Sequence, residues 1–288
     1  MIDFLKYRYS CAVGSIALIA LGVAGYLFHG GFKYHIDFVG GSEIRIAFEK
    51  PIDIAKLRAC ADKGGWEGAV IQSTGTENKE FLVKLGNKEP GVDEKFRKTV
   101  DKYLNDVSYE IRSVEQVGAE AGKEVQWNAI LSILLALVGL LAYISVRHRY
   151  AYAVGAVAAL AHDLLVLLTF YLVFAWPISL NILAGILTVL GYSLNDTIVV
   201  FSRIRENSLL HKGSTKEEIV NMSLNQTLRR TLLTSFTTLI AVLALFFLGG
   251  EVLRGFSVTM IIAIIVGTYS SIYIASPVTL ALNAEKEL

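Results

Sequence analysis

NILAGILTVLGYSLNDTIVVFSRIREN, residues 181–207, decides what kind of protein this is. Residues 181–202 form an apolar run, and crossing a bilayer takes about 20 such residues. Asn195 and Asp196 interrupt it, and Arg203 and Arg205 close it. A carboxylate facing lipid is costly, so an acid at this depth is expected to face other helices or a polar cavity. At about 100° per residue, Gly185, Val189, Tyr192, Asp196 and Arg203 fall near one helix face, which reads as a packed interface.

Outward from this run lie five more of similar length, at roughly 10–28, 128–146, 151–174, 228–248 and 256–279. Short breaks at 147–150, 175–179 and 249–255 separate neighbours. The composition agrees: 53% of the 288 residues are hydrophobic and 18% charged, whereas soluble domains carry roughly 25% charged residues. A net charge of +1 without a basic stripe gives no reason to expect nucleic acid. The two cysteines, Cys11 in the first run and Cys60 in a polar region, imply no disulfide framework. No Cys/His cluster has metal-ligand spacing, and neither a GxxxxGK[ST] phosphate loop nor HExxH occurs. No cofactor or metal is expected. The first run follows Lys6 and Arg8, is long for a signal-peptide core and lacks a clear cleavage site, so it reads as an uncleaved anchor.

Lysine and arginine set the orientation. Lys6, Arg8, Arg147, Arg149, Arg203, Arg205, Lys212, Lys216, Arg229 and Arg230 gather on one side, with Arg254 the exception. Both termini and a 203–227 loop are therefore expected in the cytoplasm, and residues 29–127 outside it. Residues 212–228 predict a short helix along the membrane surface, capped by Ser214 or Thr215. Residues 29–127 read as strand, helix (53–65), two strands forming a hairpin, helix (93–106, with Phe96, Val100, Tyr103 and Leu104 on one face) and strand. That β-α-β-β-α-β order predicts a ferredoxin-like domain. The expected fold is a polytopic α-helical membrane protein: six transmembrane helices with one extracytoplasmic α+β ferredoxin-like domain between helices 1 and 2. Its divisions are 1–28, 29–127 and 128–288.

The polar residues in the spans are the candidate sites. Asp196 is either a proton-carrying group or a polar clamp between helices, with Asn195 beside it free to bond elsewhere. Asp163, beside His162 in the third run, is either a secondary relay or a helix clamp. Arg230 opens the fifth run, either as a boundary anchor or as the head of a stripe through Thr234, Thr237 and Thr238. An arginine within reach of Asp196 favours its ionised form, and moving it away reverses that. Small residues at 267–271 predict close helix packing. Pro277 is expected to kink or stop the sixth run.

GYSLNDTIVVFSRIREN (191–207), NMSLNQTLRRTLLTSFTTL (221–239), GTYSSIYIASP (267–277), DFVGGSEI (37–44) and AHD (161–163) together resemble, in order, the signature stretches of the SecF family. That family supplies the smaller membrane subunit of the SecD–SecF protein-translocation accessory complex and is related to the RND transporters. The resemblance implies a SecD partner, the Sec translocon, exported unfolded polypeptides and a proton-driven cycle in the bacterial cytoplasmic (inner) membrane. By position it implies that Asp196 and Arg230 couple protons. Many members carry aspartate where this chain has Ser202. Three other readings compete: an intramembrane aspartyl protease using Asp163 and Asp196, a purely structural scaffold, and a small-molecule pump.

Overall fold

The computed structural model describes residues 2–66, 69–74, 78–85, 91–105, 107–147 and 150–283. Within the predicted 147–150 break, His148 and Arg149 lie outside the described residues, as does 75–77 between the hairpin strands. The chain begins with a 3-10 turn (Leu5–Tyr7) and α1 (Arg8–His29). Then come α2 (Ile36–Val39), β1 (Gly41–Phe48), α3 (Ile54–Lys63), β2 (Val70–Ser73), β3 (Glu80–Leu85), α4 (Val92–Tyr103) and β4 (Tyr109–Val117). Long helices follow: α5 (Ala119–Arg147), α6 (Tyr150–Val173), α7 (Leu180–Leu210), α8 (Lys216–Leu248) and α9 (Gly250–Ser270). A π turn (Ser271–Ala275) leads into α10 (Ser276–Asn283). Among the described residues, six helical stretches are long and apolar enough to cross a membrane. The chain divides into two compact units, Met1–Lys33 with Ile130–Leu288, and Tyr34–Ala129.

The smaller unit is a four-stranded antiparallel sheet in the order β2-β3-β1-β4. This is the ferredoxin-like arrangement expected from the element order. Alternation places Ile44, Ile46 and Phe48 of β1 beside Phe81, Val83 and Leu85 of β3, all buried. Leu57, Cys60 and Ala61 of α3 and Val92, Phe96 and Val100 of α4 cover that face. Asp53 caps α3 by accepting from the Ala55 amide at 3.0 Å. Tyr103 departs from its expected buried face: α4 ends there, and the exposed ring sits under the Lys63 and Lys102 ammonium groups at 5.3 and 5.1 Å.

In the larger unit the core runs along α6, α7 and the C-terminal helices, through Tyr152, Ala156, Leu160, Leu194, Phe201 and Ala275. Glycine permits the closest approach: a Cβ on Gly155 would collide with Thr279 Oγ1 and lie 2.9 Å from the Ala275 carbonyl oxygen. Two expectations change here. The region 203–227 is mostly helical, because α7 runs to Leu210 and α8 starts at Lys216. The helix predicted along the membrane surface is instead the first turns of α8, continuous with the fifth span. A capping box starts it, with Thr215 Oγ1 accepting from the Glu218 amide (3.3 Å) and Glu218 Oε2 from the Thr215 amide (2.9 Å). No glycine or proline interrupts residues 216–248, so nothing breaks the helix. Asn221 and Asn225 on these turns accept from the Phe4 and Ile2 amides, both at 2.8 Å, and hold the N-terminal segment. Near Pro277 the last span does not stop: the π turn Ser271–Ala275 precedes the proline and α10 carries the helix on to Asn283.

Candidate functional site

Asp196 lies on α7 and is buried, 4% exposed, on the face shared with buried Gly185 and Val189 and half-buried Tyr192. Its neighbour across the helix contact is Thr234 of α8, whose hydroxyl stands 3.5 Å from Oδ1. That is the long limit of a hydrogen bond, and the same hydroxyl bonds the Thr231 and Arg230 carbonyls at 2.9 and 3.1 Å. Arg230 is close enough to interact electrostatically with the carboxyl, while Ser235 pairs with the Thr268 hydroxyl at 2.8 Å. The arginine itself is exposed. Asn195 lies on the exposed side of α7. The threonine stripe reaches the acid only through Thr234. Thr237 and Thr238 donate to carbonyls of their own helix, Leu233 at 3.0 Å and Thr234 at 2.9 Å.

Asp163 and His162 on α6 sit in a separate buried network. Asp163 Oδ2 accepts from Ser193 of α7 at 2.6 Å and Ser270 of α9 at 2.9 Å. Oδ1 is 3.2 Å from His162 Nδ1. His162 Nε2 is 2.9 Å from Ser15 of α1, whose Oγ is 2.9 Å from the Tyr269 hydroxyl. Tyr269 donates onward to the Cys11 carbonyl at 2.8 Å. The network ties α1, α7 and α9 to α6. Sequence reasoning found the acid and the histidine but not Ser15, Ser193, Tyr269 or Ser270. Their only signal was hydroxyls recurring in apolar runs, and 267–271 was read as packing alone. Asp163 and Asp196 hold different partners on neighbouring turns of α7 contact.

A third charged cluster lies in the sheet unit at the DFVGG stretch. Gly40 and Gly41 adopt φ of 76° and 141°, which side chains rarely allow, so the turn requires glycine. It brings His35 to both Asp37 (Nδ1 to Oδ2, 3.2 Å) and buried Glu43 of β1 (Nε2 to Oε2, 2.8 Å). Lys84 of β3 stands 3.6 Å from Glu43. Burial alone would lower the His35 pKa, but the two carboxylates more than offset it and push it up to about 9. Burial works against ionised Glu43, yet His35 and Lys84 hold its carboxyl below the usual range. Burial draws Lys84 down, opposed by Glu43. Gln126 at the start of α5 donates to the Phe38 carbonyl at 3.1 Å and fastens the same turn.

Comparison with known proteins places these features in context. Residues 97–285 match the family model "Protein export membrane protein SecD/SecF, C-terminal". The chain is 41% identical to the SecF protein translocase subunit of Thermodesulfovibrio yellowstonii, over 98% of this chain and 95% of that one. It is 37% identical to SecF of Escherichia coli O157:H7, over 99% and 89%. The crystal structure of SecDF, a translocon-associated membrane protein from Thermus thermophilus, superposes with a TM-score of 0.88 at 35% identity. That match covers 98% of this chain but only 39% of the SecDF chain.

Proposed function

The chain belongs to the SecF branch of the SecD/SecF protein-export family, and from that premise we propose that proton binding at Asp196 drives its work. It is a multi-pass membrane subunit of the Sec export machinery, a transport component rather than a catalytic enzyme. In the proposed cycle Asp196 takes a proton from the extracytoplasmic side and releases it towards the cytoplasm. Ionised, it attracts Arg230 across the α7–α8 contact. Protonated, it loses that attraction, and the two helices are free to repack. The observation that carries this reading is a buried carboxyl on α7 with an exposed arginine of α8 near enough to attract it and the Thr234 hydroxyl 3.5 Å away. One charge crossing 100 mV supplies roughly 2.3 kcal/mol per proton.

The partner in this reading is SecD. The Thermus SecDF chain is far longer than this one, and the part of it that this chain does not match would here come from a separate chain. The complex would act in the bacterial cytoplasmic (inner) membrane on unfolded polypeptides leaving the Sec translocon. Residues 29–127 would lie outside and both termini in the cytoplasm. The protease alternative is disfavoured because an aspartyl dyad shares one proton between adjoining carboxylates. Here Asp163 bonds Ser193, Ser270 and His162, and Asp196 faces Thr234. The test is Asp196→Asn in vesicles holding the complex and translocon. Gradient-dependent export and proton flux are expected to vanish while SecD still copurifies. Normal export by that variant rejects the mechanism; a parallel fall in thermal stability favours a scaffold role instead.

A further inference from the structure

The His162–Asp163 network has one more contact than it has hydrogens. Four contacts run in series: Asp163 Oδ1 to His162 Nδ1, His162 Nε2 to Ser15 Oγ, Ser15 Oγ to the Tyr269 hydroxyl, and that hydroxyl to the Cys11 carbonyl. Each needs one hydrogen. A carboxylate, a neutral imidazole, a serine and a tyrosine supply one fewer than required. The Tyr269 hydrogen is committed to the Cys11 carbonyl, which can only accept. Ser15 then points its hydrogen at Tyr269 or at His162. Whichever it chooses, and whichever nitrogen of His162 is protonated, one contact is left with lone pairs opposed. Burial makes such a defect costly.

One additional proton removes the defect. It sits as an imidazolium facing a carboxylate or as a neutral imidazole facing a carboxylic acid. In both forms His162 Nε2–H donates to Ser15, Ser15 to Tyr269 and Tyr269 to Cys11, and every contact is filled. Both forms are also net neutral, whereas the pair without that proton carries a full negative charge among apolar spans. The groups facing the pair are Ser15 on α1, Ser193 on α7, and Tyr269 and Ser270 on α9; the nearest other acid along α7 is Asp196, three residues after Ser193, which faces Thr234 instead. Tyr273 lies beyond Tyr269, its ring tilted against it with centroids 5.3 Å apart.

We propose that His162 and Asp163 form a second proton-binding site of the transmembrane bundle, and that Ser15 and Tyr269 communicate its occupancy to α1. Losing the proton leaves one contact of the series unfilled, and when that contact is Nε2–Ser15 or Ser15–Tyr269 the hold of α1 on α6 and α9 loosens. The hydrogen count stands by itself; only its meaning for export rests on the proton-driven reading above. Ser15 and Tyr269 are positioning residues in this scheme.

The test uses the full chain with its SecD partner in bilayers, with histidine labelled by 15N and observed by solid-state NMR near neutral pH. The His162 signals are those lost in His162→Gln. Nε2 is expected to carry a hydrogen. The extra proton shows either as a hydrogen on Nδ1 too, or as a carboxylic-acid infrared band lost in Asp163→Asn. Tyr269→Phe frees the Ser15 hydrogen for Nε2 and completes the shortened chain without the extra proton. The ratio of protonated to bare Nε2 should then fall about tenfold, the worth of one hydrogen bond. A bare Nε2 in the unaltered chain overturns the proposal. So does Nε2–H with neither further sign of the proton, or a ratio indifferent to Tyr269→Phe. Repeating the measurement in Asp196→Asn separates this site from the other, since its occupancy should persist there even when export has failed.

Discussion

Raising the pH should loosen the sheet unit through His35. Its folded pKa, about 9, lies above the ordinary 6.5, so the stabilisation is fully present below 6.5 and disappears as pH rises through 9. Each unit of difference is worth about 1.4 kcal/mol, which sets a ceiling of about 3 kcal/mol. His35 is not wholly buried, with a side chain 15% exposed. Solvent screening reduces the expected loss to about 1–2 kcal/mol. Cys60 is the probe: it is 2% exposed, with Sγ 3.6 Å from the Thr99 carbonyl, and reacts with a thiol reagent only when the unit opens. In a Cys11→Ala background the opening constant, corrected for thiolate formation, should rise about tenfold from neutral pH to well above 9. His35→Gln should already be open to that extent at neutral pH and show a flat profile. An equal pH slope in both proteins would refute the imidazolium clamp.

Phe96→Ala empties a fully buried position that packs on Trp66 at a ring separation of 5.6 Å; unfolding of the sheet unit should become easier by about 3–5 kcal/mol, read by the same Cys60 labelling. Gly155→Ala forces a methyl against Thr279 and the Ala275 carbonyl and should cost about 1–3 kcal/mol in a thermal melt of the purified membrane protein. Arg230→Ala removes an exposed side chain, so stability should shift by less than about 0.5 kcal/mol while gradient-dependent export falls; a large loss of melting temperature would mark the arginine as structural. Thr215→Ala breaks the capping box of α8 and should cost about 1 kcal/mol, visible as faster hydrogen exchange in residues 216–220.

Local rules were enough for much of this chain. Hydropathy located six spans because a bilayer demands about 20 apolar residues from each, and strand–helix order named the sheet because connections are short and the covering helices must lie on one face. Asp196, Arg230 and Thr234 were legible for the same reason: helical spacing is a local property, and an acid in an apolar run is conspicuous. What spacing could not provide was distance between helices. That Thr237 and Thr238 turn back to their own carbonyls, that α8 runs unbroken from Thr215, and that Asp163 gathers Ser193 and Ser270 depend on how separate helices meet. Ser15 and Tyr269 are 254 residues apart, and no periodicity links them. Sequence determined which residues cannot face lipid; tertiary packing alone chose their partners, because a hydrogen bond is set by the register of two helices and each helix carries only its own.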